Sequence, residues 1–125
     1  MALYTHLPVY EKTLRLLLDV VPCTMRMQRD YRYTMGEQLK RCIMDILILI
    51  FKANKTEQKG EYISVAREKL VEVQIMMRVL NELRQISDKQ FMMFAEMTEG
   101  ISKQLSAWER SVASRLSRTG GGDTC

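Results

Sequence analysis

The sequence predicts an all-α protein, an up-down-up-down antiparallel four-helix bundle. Three observations point there. Four long segments repeat apolar residues at steps of three and four, no stretch alternates at the two-residue step of a strand, and Thr34 and Ser87 each open a Thr/Ser-x-x-Glu/Gln pattern of the kind that starts helices. The segments are joined by short connections, which favour antiparallel neighbours.

The stretch from Leu39 to Asn54 organises the rest. Wound as a helix it places Leu39, Ile43, Ile46, Ile50 and Ala53 on one face, with Cys42, Leu47 and Leu49 on its shoulders. Met44, Ile48 and Phe51 fall on the other side among Arg41, Asp45 and Lys52. A helix that is apolar nearly all round has to be covered on more than one side. One bundle covers one side, so sister copies of the chain are expected to cover the rest.

The first helix is expected over about residues 8–29, with Pro8 in the first turn, where a missing amide costs little. Tyr10, Leu14, Leu17, Leu18, Val21 and Met25 form its expected buried stripe, and Pro22 should kink it or tighten its last turns. Arg15, Arg26 and Arg29 would then line up on one side of the axis. The second helix is expected over about 35–54, opened by a Thr34–Glu37 capping box and closed among Lys52 and Lys55, which suit the negative end of the helix dipole.

The third helix is expected over about 61–85, with Ile63, Ala66, Leu70, Val73, Met77 and Leu80 as its seam and Arg67, Gln74 and Arg78 beside it. Val71, Ile75 and Val79 lie on a further face among Glu68, Glu72 and Glu82, a second surface for another copy. The fourth helix, about 88–117, starts at a Ser87–Gln90 capping box with Ile86 and Phe91 as a hydrophobic staple. Phe91, Phe94, Thr98, Ile101, Leu105, Trp108, Val112 and Leu116 continue it in an unbroken three-four repeat. Residues 1–118 thus read as one domain, and 119–125, rich in glycine, as an unpacked tail.

A chain of 125 residues, 46% hydrophobic and 27% charged, can bury a core without staples. Its net charge of +4 suits an anionic partner. Three cysteines at unrelated spacings fit a reducing compartment, with Cys23 and Cys42 as core thiols. The amino terminus lacks the pattern of a signal peptide, and no apolar run is long enough to span a bilayer, so a cytosolic protein off the membrane is expected.

Chemistry is sparse. The single histidine, His6, precedes the first helix, so neither a paired Glu-x-x-His metal site nor a histidine acid/base pair can be built in one chain. Gly36 and Gly60 are isolated and make no phosphate-cradling loop. The expectation is a protein that is not an enzyme and takes no metal or cofactor. The ten methionines fit either gap-filling in the core or an adaptable partner surface. Tyr31 and Tyr33 fit either a core-closing corner or a platform for bases beside Arg26, Arg29 and Arg32.

Three stretches carry a family resemblance. Leu7-Pro8-Val9-Tyr10-Glu11-Lys12, then Arg32-Tyr33-Thr34-Met35-Gly36 at the start of the second helix, then Lys52-Ala53-Asn54 at its end, resemble the four-helix-bundle proteins related to those encoded in ribosomal RNA intervening sequences. The resemblance spans about residues 7–112, with Met35 standing where members commonly carry leucine. Within that family the chain is most similar to the accessory variability determinant group of diversity-generating retroelements, some of them carried by phage. The resemblance implies a non-enzymatic, positively charged homopentameric barrel in a bacterial cytoplasm. It also implies two partners, the retroelement's reverse transcriptase and nucleic acid, in support of mutagenic cDNA synthesis and retrohoming.

No family catalytic residues carry over. By position, Arg15, Arg26, Arg29, Arg32, Lys40, Arg41, Arg67 and Arg78 are the candidates for contact with nucleic acid or polymerase, and Met44, Ile48, Phe51, Val71, Ile75 and Val79 for contact between copies. Two plainer readings stand beside this one: a general RNA-binding bundle, and an interaction module for an acidic protein.

Overall fold

A computed structural model of the chain describes the backbone of residues 7–121 and the side chains of residues 7–116. The expectations for His6, for Cys125 and for residues 122–125 of the tail lie outside the described residues. Four long helices are present, α1 (Pro8–Met25), α2 (Glu37–Lys55), α3 (Lys59–Glu82) and α4 (Asp88–Gly121), and no strand occurs among the described residues. Each packs on the next and α4 closes back on α1, the arrangement of an antiparallel bundle.

The seams of α2 and α3 are where their spacing places them. Leu39, Ile43, Ile46, Ile50 and Ala53 are buried, as are Ile63, Ala66, Leu70, Val73, Met77 and Leu80. The start of α4 is also as expected. The Gln90 amide donates to Ser87 Oγ at 3.1 Å and the Ser87 amide to Gln90 Oε1 at 3.4 Å, a reciprocal cap, with Ile86 buried and Phe91 packed on the core.

The face of α1 is corrected. Its buried residues are Val9, Thr13, Leu16, Leu17, Val20, Cys23 and Thr24, whereas Leu18, Val21 and Met25 of the expected stripe are exposed and Tyr10 and Leu14 only half-buried. The cause is visible in the chain: Leu14, Leu16, Leu17, Leu18, Val20 and Val21 spread over about 200° of the helix, an arc too wide for apolar spacing to choose one face. The buried side includes two threonines that satisfy their hydroxyls locally. Thr13 Oγ1 donates to Val9 O and Thr24 Oγ1 to Val21 O, each at 2.7 Å, so both can be buried.

The expected end of α1 moves as well. The helix stops at Met25, three residues beyond Pro22, through tight three-residue bonds from the Arg26 and Met27 amides to Cys23 O and Thr24 O. Arg29 therefore leaves the strip it was expected to share with Arg15 and Arg26. It opens a helical turn, Arg29–Tyr31, that passes through a π-helical turn, Arg32–Gly36, into α2.

Thr34 is not a cap. Its hydroxyl lies inside the π turn and donates back to Asp30 O at 2.6 Å, while Glu37 pairs with Lys40 at 2.9 Å. Gly36 packs tightly there, since a Cβ would stand 3.3 Å from Tyr31 O and 3.5 Å from Met27 Sδ.

Helix α3 ends at Glu82, earlier than expected, in a Schellman turn. The Gln85 amide reaches Leu80 O at 2.8 Å and the Arg84 amide Asn81 O at 3.0 Å, with Arg84 in the left-handed region at φ 62°. Helix α4, at 34 residues, is about 51 Å long against about 27 Å for the 18 residues of α1. It outruns the bundle, and so Leu116, expected inside, is 61% exposed.

Candidate nucleic-acid interface

The α1–α2 connection and the α3–α4 connection meet at one end of the bundle. The Gln28 amide donates to Gln85 Oε1 at 2.8 Å, and Asn81 Nδ2 ties the second connection by donating to Ile86 O at 3.0 Å and Asp88 Oδ1 at 2.9 Å. This pinning gathers Arg26, Arg29, Arg32 and Arg84 on one pole. Arg26, Arg29 and Arg84 are exposed. Arg84 escaped the sequence reading, because nothing local marks an arginine that will cap a helix in the left-handed region.

Arg32 differs from its neighbours. It is half-buried, its Nη1 donates to Met25 O at the end of α1 at 3.4 Å, its Nε is buried without a partner, and its guanidinium lies 4.9 Å from the centre of the Tyr33 ring. The two tyrosines split their expected roles. Tyr31 packs on the core, and Tyr33 is 62% exposed beside Arg32, where it can meet a base.

The other candidates are dispersed. Arg15 sits midway along α1 in the groove shared with α4, beside Lys12 and opposite Glu96. Arg67 is ion-paired with Glu109 across α3 and α4, and Arg78 with Glu82 at 3.4 Å. Lys40 is half-buried and paired with Glu37. Arg41 is exposed in the second turn of α2, on the same face as Met44 and Ile48.

The six residues expected between copies form two separate surfaces. Met44 and Ile48, 46% and 44% exposed, join Phe51, Tyr10, Leu14 and Leu17 around a groove of about 410 Å³ between α1 and α2, with Leu18 and Val21 exposed nearby on α1. Val71, Ile75 and Val79 make a ridge on the outer side of α3, exposed by 52%, 58% and 38%. Helical spacing puts Arg41 and Lys52 along the groove together with Glu37 and Asp45, and Glu68, Glu72 and Glu82 along the ridge together with Arg78. Both surfaces are thus rimmed by charges of both signs.

The thiols belong to the core. Cys23 and Cys42 are free and buried. Burial, with the Glu72 carboxylate at 3.5 Å, pushes the Cys42 thiol up to about 12, and burial raises Cys23 against the opposing charge of Arg26. Of the methionines, Met27, Met76 and Met77 fill the core, whereas Met25, Met44, Met92 and Met93 lie on the surface. Among the described residues no cluster of three metal-ligating side chains occurs, and no helix is long and apolar enough to cross a membrane.

A family model, that of the 23S rRNA-intervening sequence proteins, matches residues 5–107. The chain belongs to this family. The intervening-sequence match takes in α1, α2, α3 and the first half of α4, and so contains the arginine pole and both apolar surfaces. Trp108 and Arg115 lie just beyond it. No curated protein and no solved structure matches the chain.

Proposed function

We propose that the protein is a self-assembling, non-enzymatic accessory factor that joins a retroelement reverse transcriptase to nucleic acid, as the accessory variability determinant group does. The observation that carries this reading is the pair of apolar surfaces on different sides of one bundle. A groove and a ridge that differ in shape favour a head-to-tail contact, in which α3 of one copy enters the α1/α2 groove of the next, and such contacts close into rings when the rotation allows.

Side-by-side assembly of this kind leaves the poles of each bundle clear. The arginine pole, with Tyr33, is then repeated around the ring, and a charge of +4 per copy accumulates into one field. Template RNA and cDNA are the anions this reading assigns to it, and the similarity of residues 7–12, 32–36 and 52–54 to the accessory group supports the polymerase as protein partner.

The test combines binding with capture. Arg26→Glu with Arg29→Glu should lower affinity for single-stranded RNA and reduce the salt slope by about 1.4, from about 0.7 per phosphate contact. Binding that is unchanged across salt concentrations contradicts the reading. Capture of the reverse transcriptase that survives nuclease treatment supports a direct protein contact. RNA binding with no polymerase capture leaves a general RNA-binding bundle, and capture of an acidic protein without RNA binding leaves a plain interaction module.

A further inference from the structure

The end of the bundle opposite the arginine pole carries a second cationic feature. A cavity of about 500 Å³ lies between the start of α1, the α2–α3 connection and the far part of α4. Its walls include Leu7, Asn54, Lys55, Lys59, Trp108 and Arg115. That volume falls within the range of about 300–1,000 Å³ typical of small-molecule sites.

The chemistry of the walls is specific. Trp108 is half-buried, braced on the core, and offers an indole surface, the strongest side-chain platform for a cation or a base. Lys59 Nζ donates to Ala53 O at 2.9 Å and to Asn54 O at 3.3 Å, which holds the ammonium in place and leaves its third proton to give. The Lys55 ammonium lies 4.7 Å from the Phe51 ring centre. Among the described residues neither lysine makes an ion pair, and Glu57 is the one carboxylate lining the cavity.

We propose that this cavity is a subsite for one nucleotide of a single strand, with the base against Trp108 and the adjoining phosphates held by Lys55 and Lys59. An aromatic wall with surrounding cations is the pairing that single-stranded nucleic acid selects: stacking is indifferent to sequence, and the cations follow the backbone. A duplex cannot enter, because its bases are stacked on each other. The proposal rests on the reading that the protein binds nucleic acid, and it adds where a strand is gripped at the pole remote from the arginines.

Trp108 is the only tryptophan in the chain, so its fluorescence reports on this cavity alone. The full-length chain is titrated with an oligouridylate of about 12 nucleotides, within the usual span of single-strand sites. Binding is followed by anisotropy of an end-labelled oligonucleotide, and stacking by tryptophan emission with the unlabelled one. Emission should fall saturably with the anisotropy midpoint. Lys55→Gln with Lys59→Gln should weaken binding about tenfold at low salt and reduce the salt slope by about 1.4, and Trp108→Phe, which keeps an aromatic packing group, should weaken it severalfold. Arg26→Glu with Arg29→Glu should weaken binding yet leave the quench at saturation intact. If the oligonucleotide binds while Trp108 emission and the lysine variants stay at wild-type values, this site is refuted and the wider reading stands. If no anisotropy change occurs, both fall.

Discussion

Arg84→Gly should make the protein more stable and a weaker binder of nucleic acid at the same time. Arg84 closes the Schellman turn after α3 at φ 62°, a conformation that costs a residue with a Cβ roughly 1–2 kcal/mol. Glycine removes that cost but loses about 0.5–1 kcal/mol through its freer unfolded chain. The ion pair given up, Arg84 to Asp88 at 3.8 Å with both side chains about four-fifths exposed, contributes little in water. The net gain is about 0.5–1 kcal/mol. With an unfolding entropy of about 2.1 cal/mol/K per residue over 125 residues, that raises Tm by about 2–4 °C. Thermal unfolding by circular dichroism at one fixed protomer concentration measures it, since any assembly would make Tm depend on concentration. RNA affinity of the same variant should fall severalfold. A lower Tm would refute the strain argument, and an unchanged affinity would remove Arg84 from the binding pole.

Gly60→Ala and Gly36→Ala should diverge. At Gly60, in the first turn of α3, an added Cβ meets nothing within 4 Å, so alanine should stabilise by about 0.5 kcal/mol, whereas at Gly36 it meets the Tyr31 carbonyl at 3.3 Å and should cancel that gain or reverse it. Equal denaturation midpoints for the two would contradict the packing of the π turn. Ser87→Ala should cost about 1 kcal/mol by removing the α4 cap, and Thr34→Ala much less, a difference chemical denaturation reads directly. Native Cys42 should resist alkylation at pH 8, as peptide mass spectrometry can check. Because its folded thiol is raised from 9.0 to about 12, the stability it supports is complete below pH 9 and is lost as pH climbs toward 12; Cys42→Ala should flatten that decline.

The parts of the fold legible in the sequence were those where one apolar seam is unbroken by charge. Helices α2 and α3 each carry such a seam of isoleucine and leucine, and their cores follow from its spacing. Helix α1 carries an apolar arc too wide to name one face, and its buried side includes Thr13 and Thr24, whose hydroxyls bond to their own backbone, which no apolar count registers. The two capping boxes make the same point from opposite sides. Ser87 and Gln90 bond reciprocally, while Thr34 carries the same signature and spends its hydroxyl on Asp30 O, because helical backbone already precedes it.

The candidate site was legible as a list of cations but not as a grouping. Arg67 and Arg78 align beside the α3 seam, yet Glu109 and Glu82 engage them. Arg84 joins the pole only through the contact of two connections far apart in sequence. Trp108 fits the α4 repeat and packs on the core as a seam residue should. Its other role, walling a cavity with Lys55 and Lys59, depends on the α2–α3 connection folding beneath α4, which periodicity does not report.

The central claim is that the α1/α2 groove and the α3 ridge are covered by sister copies, and its most direct test is the mass in solution of the wild-type chain beside Ile48→Glu and Ile75→Glu. By sedimentation velocity at micromolar concentration, the account predicts a discrete multiple of 14.6 kDa for the wild type and a folded, helical monomer for each variant, since each spoils one side of the same contact. A wild-type protein that sediments as a single 14.6 kDa particle, or variants that assemble as well as it does, would contradict it.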